Sequence, residues 1–306
     1  MPRYADPEPD PAWLDVQYNN RARIADSADI FQRWQRASAL SRERSSCRLG
    51  LAYGDGPDER LDLFTTTSAA APVLVFLHGG YWRSLDKADH SFVAPSFVED
   101  GALVVVPNYS LCPATSMDRI LLQTAQALAW TYRNAALHGG DPQRIVVIGH
   151  SAGGQLAAML LCCRWPLLGS DLPADLVKGA MAISGLLDLE PVRRSPYLQR
   201  DLHLTPALVR KLSPAYLPAP SAPLYAVVGG LESEEFLRQN RLIRKAWGAK
   251  TVPVCEPIAD CNHLTILHDL ADPLGRCHLL VNELLGLEAA GSSLPLARIA
   301  ATYGKD

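Results

Sequence analysis

A serine set between glycines is the first group in this sequence with the means to do chemistry. Gly149-His150-Ser151-Ala152-Gly153 follows the apolar run Ile145 to Ile148 and precedes a stretch of helical spacing from Gln155 to Trp165. A turn this tight from strand into helix leaves no room for side chains beside it. Gly149 and Gly153 therefore relieve crowding while Ser151 is pushed out into a cleft. The helix that starts there aims free N–H groups at the same place and favours negative charge. A serine so placed is a candidate nucleophile for acyl transfer, the plainer alternative being a serine that only caps a helix.

A second glycine-rich turn lies upstream. His78-Gly79-Gly80-Tyr81-Trp82 follows the apolar run Val73 to Leu77, and two glycines let the backbone turn its N–H groups toward a cleft. The N–H groups of Gly80, Tyr81 and Ala152 are the expected oxyanion hole, with His78 orienting the loop; loss of one such donor typically costs about 10²- to 10³-fold in rate. An ordinary strand-to-helix turn is the alternative, which the order of the two motifs disfavours. Tyr81 and Trp82 are expected to line an aromatic substrate pocket, with burial in the core as the competing role.

Of eight histidines, His263 best suits a general base, because it follows the apolar segment Thr251 to Ile258 and precedes Leu264-Thr265-Ile266-Leu267. His268 and His278 are alternatives that read as helix-face residues. The acid that holds the imidazole is expected just past the run Leu224 to Gly229, where Glu232 comes first. Glu234 and Glu235 suit the first turn of the next helix, and Asp260 is a rival acid. The expected catalytic set is thus Ser151, His263 and Glu232.

These residues need a frame, and the sequence supplies one. Short β-branched runs (Val73 to His78, Leu103 to Pro107, Ile145 to Gly149, Gly179 to Ser184, Leu224 to Gly229, and more weakly Leu61 to Phe64 and Val252 to Glu256) alternate with helical spacings at Met117 to Leu137, Gln155 to Trp165 and Phe236 to Trp247. That alternation predicts a layered α/β fold, a mostly parallel sheet with helices on both faces. Two regions stand outside the repeat. Residues 1–45, helical around Ile30 to Leu40, and an insertion at residues 186–220 are both expected to form a small helical cover over the site. Residues 46–287 would be the catalytic domain and 288–306 a frayed or loosely docked tail.

Composition narrows the partners. A formal net charge of -3 over mixed signs gives no footprint for nucleic acid or an anionic membrane, so the expected partner is a small molecule. No apolar run is long enough to span a bilayer, and the Pro- and Asp-rich start lacks a signal pattern, which points to the cytoplasm. Seven cysteines without C-x-x-C pairs read as buried small side chains, Cys261 beside His263 being the one that could react. Nothing in the pattern requires a cofactor or a metal. The sequence leaves a homodimer open.

Several separated segments resemble the kynurenine formamidase (arylformamidase) family, α/β hydrolases near the hormone-sensitive-lipase-like esterases. They are His78-Gly79-Gly80-Tyr81-Trp82 continuing through Ser84-Leu85-Asp86-Lys87, Pro107-Asn108-Tyr109, the Ser151 elbow, Ser184-Gly185-Leu186-Leu187-Asp188-Leu189-Glu190-Pro191, and Glu232-Ser233-Glu234-Glu235-Phe236 with Arg238-Gln239. The chain departs from the family in having Glu at 232, where Asp is commoner, and Cys261-Asn262-His263-Leu264 around the histidine. The resemblance implies the α/β-hydrolase fold and hydrolysis of N-formyl-L-kynurenine to formate and L-kynurenine. Arg193, Arg194 and Arg200 in the insertion would be available to a substrate carboxylate, solvated surface arginines being the plainer role.

Other classes compete. A carboxylesterase acting on short-chain or aryl esters would use the same residues, since fold and triad do not set substrate. A non-catalytic binding protein would have no need of an activated serine. A nucleotide-binding oxidoreductase is excluded by the absence of G-x-G-x-x-G after a first strand.

Overall fold

The alternation of apolar residues along the strands decides the layering. In the strand Ala71–Leu77, Val73, Val75 and Leu77 face one side with Ile145 and Val147 of the neighbouring strand, while Leu74 and Phe76 face the other with Val146 and Ile148. Both sides are apolar, so both must be covered, and a sheet covered on both sides is a parallel one joined by crossover helices.

The computed structural model describes residues 9–287. The expected tail, 288–306, lies outside the described residues. Eight strands form one sheet: β1 Cys47–Ala52, β2 Arg60–Phe64, β3 Ala71–Leu77, β4 Leu103–Pro107, β5 Gly140–His150, β6 Val177–Ile183, β7 Leu224–Gly229 and β8 Cys255–Ile258. Their order is β1-β2-β4-β3-β5-β6-β7-β8. β1 pairs antiparallel with β2, and β2 antiparallel with β4. From β4 to β8 every pairing is parallel; Val75 of β3 lies opposite Val105 of β4 and Val147 of β5.

The helices are α1 Pro11–Tyr18, α2 Asn20–Arg23, α3 Ser27–Arg44, α4 Ala94–Glu99, α5 Met117–Asn134, α6 Ala152–Leu161, α7 Glu190–Arg194, α8 Pro196–Leu202, α9 Pro206–Leu212, α10 Glu234–Thr251, α11 Ile266–Ala271 and α12 Arg276–Leu285. α5 and α6 pack Leu128 and Leu156 onto the Val73–Val75 face, while α3, α4, α11 and α12 pack Trp34, Phe97, Leu267 and Leu280 onto the Leu74–Phe76 face. The fold is the mostly parallel α/β layering that the sequence predicts. Among the described residues no helix is long and apolar enough to cross a membrane.

Two boundaries differ from expectation. The weak strand expected at Val252 to Glu256 begins at Cys255, because Val252 closes α10 and only Cys255 onward pairs with β7. β1 was not expected at all: it is an edge strand with largely exposed side chains, so it carries little of the apolar alternation by which strands are recognised. Outside the repeat, residues 11–44 form α1 to α3, and the insertion folds into α7, α8 and α9.

Candidate active site

Four connections at the carboxyl edge of the sheet meet at one place, where ligands of open α/β sheets gather. They are the turn after β5 with Ser151, the loop after β3 with Gly80 and Tyr81, the turn after β7 with Glu232, and the loop after β8 with His263. Ser151 has φ 57° and ψ −115°, a conformation that costs a non-glycine residue roughly 1–3 kcal/mol. Its N–H donates to Ile183 O on β6 at 2.8 Å, and α6 starts at the next residue. The glycines around it are dictated by contact: a Cβ on Gly149 would lie 2.1 Å from Gly153 O, and one on Gly153 would lie 2.0 Å from Leu77 O.

Glu232 and His263 are both buried and bonded. Nδ1 of His263 lies 2.6 Å from Glu232 Oε2. The other carboxylate oxygen, Oε1, accepts from the Gly229 N–H at 2.7 Å and the Ser184 hydroxyl at 2.5 Å. Both Glu232 oxygens are therefore directed. The His263 ring packs against Phe236, with centroids 4.4 Å apart, and its carbonyl meets Nε2 of His150 at 2.7 Å. Burial holds His150 well below the usual histidine range, so its neutral ring donates Nε2–H to that carbonyl.

The loop after β3 is built by the other segments that the sequence singles out. Nδ1 of His78 lies 2.8 Å from Gly79 O and Nε2 lies 3.2 Å from Asn108 Oδ1, and the ring stacks on Tyr109 at 4.2 Å. Asn108 in turn receives the Lys87 N–H at 3.1 Å and donates to Asp86 at 2.8 Å. Gly80 has φ 104°, and a Cβ there would lie 2.0 Å from Ser84 O, so only glycine fits. Among the described residues nothing accepts from the Gly80 or Tyr81 N–H groups. Ala152, first in α6, has no helical acceptor for its own N–H.

Ser151, His263, Gly80 and Tyr81 line one cavity of about 290 Å³. Its remaining wall includes Asn20, Phe31 and Trp34 from the N-terminal helices, Leu264 after β8, and Tyr197, Arg200 and Asp201 of α8. Arg21 and Arg83 add further positive charge; Arg83 pairs with Asp201 and lies 4.4 Å over the Tyr197 ring.

Some expected residues take other places. Trp82 is fully buried and donates Nε1–H to Gln155 Oε1 at 3.2 Å; it is core, not pocket wall, because its left-handed φ of 54° accompanies a ring seated against α6. Asp260 is exposed on its loop, and it is Glu232 that meets the histidine. His268 accepts from Trp34 Nε1 at 3.1 Å, and His278 pairs with Asp100 at 2.6 Å, so neither faces the cavity. Glu235 lies within the first turn of α10 as expected, but fully buried. Arg193 is bound to Glu190 on α7, whereas Arg200 reaches the cavity. Burial pushes the Cys261 thiol up to about 11, which leaves it protonated at neutral pH.

Sequence reasoning missed Ser184 and the cavity residues Asn20, Arg21, Phe31, Trp34, Arg83 and Tyr197. For Ser184 a signal existed, since it stands in a segment of the family resemblance. Arg83 lies in the loop after β3, and the others carry no signal, because their positions depend on how the appended helices dock.

Comparison with known proteins agrees with this architecture. The family model of the alpha/beta hydrolase fold matches residues 74–238. Kynurenine formamidase of Salmo salar is 32% identical over 243 residues, 76% of this chain and 79% of that protein. The chain belongs to the kynurenine formamidase family of α/β hydrolases. Kynurenine formamidase of Danio rerio is 29% identical over 77% of this chain and 81% of its own length. Among solved structures, a candidate thioesterase from Silicibacter sp. TM1040 superposes with a TM-score of 0.77 at 29% identity, covering 88% of this chain and 98% of that one. Membership of the family makes the protein a serine hydrolase.

Proposed function

We infer that the protein hydrolyses an aryl formamide, N-formyl-L-kynurenine, to formate and L-kynurenine through a formyl-serine intermediate. The observation that carries the chemistry is the buried Glu232–His263 pair at 2.6 Å, opening on the cavity that Ser151 lines. Ser151 Oγ attacks the formyl carbon while His263 Nε2 takes its proton, and Glu232 holds the tautomer and stabilises the imidazolium. The N–H groups of Gly80, Tyr81 and Ala152 receive the charge that develops on the formyl oxygen. As the C–N bond breaks, His263 returns the proton to the departing arylamine. A water deprotonated by His263 then attacks the formyl-serine, and as the bond to Ser151 Oγ breaks His263 returns the proton to that oxygen, releasing formate.

The choice of leaving group rests on the formamidases to which the chain is similar. The aromatic side chains of Phe31, Trp34, Tyr81 and Tyr197 and the guanidinium groups of Arg21 and Arg200 in the cavity wall suit an arylamine that bears a carboxylate. A carboxylesterase is the second reading, favoured by the likeness to Esterase LipQ of Mycobacterium tuberculosis, 29% identical over 67% of this chain. Steady-state kinetics separates them: kcat/KM for N-formyl-L-kynurenine should exceed that for p-nitrophenyl acetate by at least about tenfold, with Ser151→Ala inactive on both. Cleavage of the ester alone would reject the formamidase reading and keep the hydrolase.

A further inference from the structure

Tyr81 (φ 52°) and Trp82 (φ 54°) are consecutive left-handed residues in the loop after β3, and side chains disfavour that conformation. It persists only where the surroundings over-determine it. Trp82 is fixed from within the sheet and its helices: Cys112 N–H donates to Trp82 O at 2.7 Å, and the indole donates to Gln155 on α6. Tyr81 is fixed by the N-terminal helices instead. Its hydroxyl donates to Tyr18 O at 2.7 Å and accepts from Asn20 Nδ2 at 3.3 Å.

Tyr18 is anchored in turn. Its hydroxyl donates to Glu235 Oε1 at 2.8 Å, and its ring meets Phe236 edge-on with centroids 5.8 Å apart. Glu235 is fully buried, so its charge needs partners, and it has them. It receives Arg238 Nε at 2.7 Å and Gln239 Nε2 at 2.9 Å, while its own N–H donates to Gln17 at 3.3 Å. Arg238 also reaches Asp188 at 3.3 Å, and Gln239 Oε1 accepts the N–H groups of Leu187 and Asp188. The segments around Asp188 and around Glu235, both part of the family resemblance, thus meet in one buried polar cluster that seats α1. The same turn that opens α10 follows Glu232 directly and carries Phe236 against the His263 ring.

We propose that Tyr18, Glu235 and the Tyr81 hydroxyl act in series as a positioning strut, fixing the Gly80–Tyr81 backbone relative to the Glu232–His263 pair. α1 is then part of the frame of the site. The proposal rests on the reading of Gly80 and Tyr81 as oxyanion donors.

The test uses Tyr18→Phe, Tyr81→Phe and the double variant of the full chain, with p-nitrophenyl acetate as substrate and a trifluoromethyl ketone as analogue of the tetrahedral intermediate. Each single variant should lower kcat about 3- to 10-fold, the worth of one hydrogen bond, with KM within twofold and the ketone's affinity falling by the same factor as kcat. A strut in series makes the double variant no worse than the poorer single. Glu235→Gln, which keeps an acceptor for Tyr18, should retain more activity than Glu235→Ala. Unchanged kcat in both single variants, an effect on KM or thermal stability alone, or additive losses would overturn the strut. Turnover retained by Ser151→Ala would instead remove the hydrolase reading beneath it.

Discussion

Glu232 illustrates what a single residue type settles. A glutamate reaches one methylene farther than the aspartate commoner in the family, yet its carboxylate is fixed by Gly229 and Ser184 on one oxygen and presented to His263 with the other. Glu232→Ala should lower kcat by about 10³- to 10⁴-fold with the circular dichroism spectrum unchanged, whereas Asp260→Ala should stay within about threefold of wild type. The reverse order would move the role to Asp260. The partner of His263 was legible because it comes first after a strand end. Ser184, 48 residues away in sequence, was not, since its contact with Glu232 follows from the pairing of β6 with β7. Trp82 was misplaced because an aromatic after a strand gives no sign of which way its ring turns.

At the scale of elements, the elbow is the most constrained unit. β5, Ser151 and α6 are packed so closely that Gly153 touches the end of β3, where a Cβ would lie 2.0 Å from Leu77 O and 2.6 Å from His78 O. Backbone cannot retreat as a side-chain tip can, so Gly153→Ala should destabilise the protein by about 3 kcal/mol or more, read as a lowered urea midpoint. A midpoint within experimental error of wild type would mean that the turn is looser than these contacts require. The central strands were legible from their apolar runs, and β4 and β7 fall on the expected residues. The edge strand β1 was not, because half of the signal that marks a strand is the burial it lacks.

For the whole molecule, the appended helices count as much as the sheet. Residues before 45 and residues 186–220 stand outside the α/β repeat, and both contribute to the cavity wall; which side chains they bring depends on docking that no local pattern encodes. The assembled core also encloses ionisable groups. His78, His90 and His150 are fully buried, and burial lowers all three, His90 to about 3. A histidine lowered on folding stabilises the fold fully above its unfolded pKa of about 6.5 and loses that contribution as pH falls below it, at up to about 1.4 kcal/mol per pH unit. Urea unfolding at pH 7.5, 6.0 and 5.0 should therefore show stability nearly constant to about pH 6.5 and then falling steeply; a flat profile would contradict burial of these rings.

The central claim is that Ser151 is an activated nucleophile, and covalent labelling tests it most directly. Folded protein treated with a fluorophosphonate should gain one adduct by intact mass, mapped to the peptide bearing Ser151, and Ser151→Ala and His263→Ala should label far more slowly or not at all. Absence of labelling in the folded wild type, or labelling undiminished in Ser151→Ala, would contradict the account.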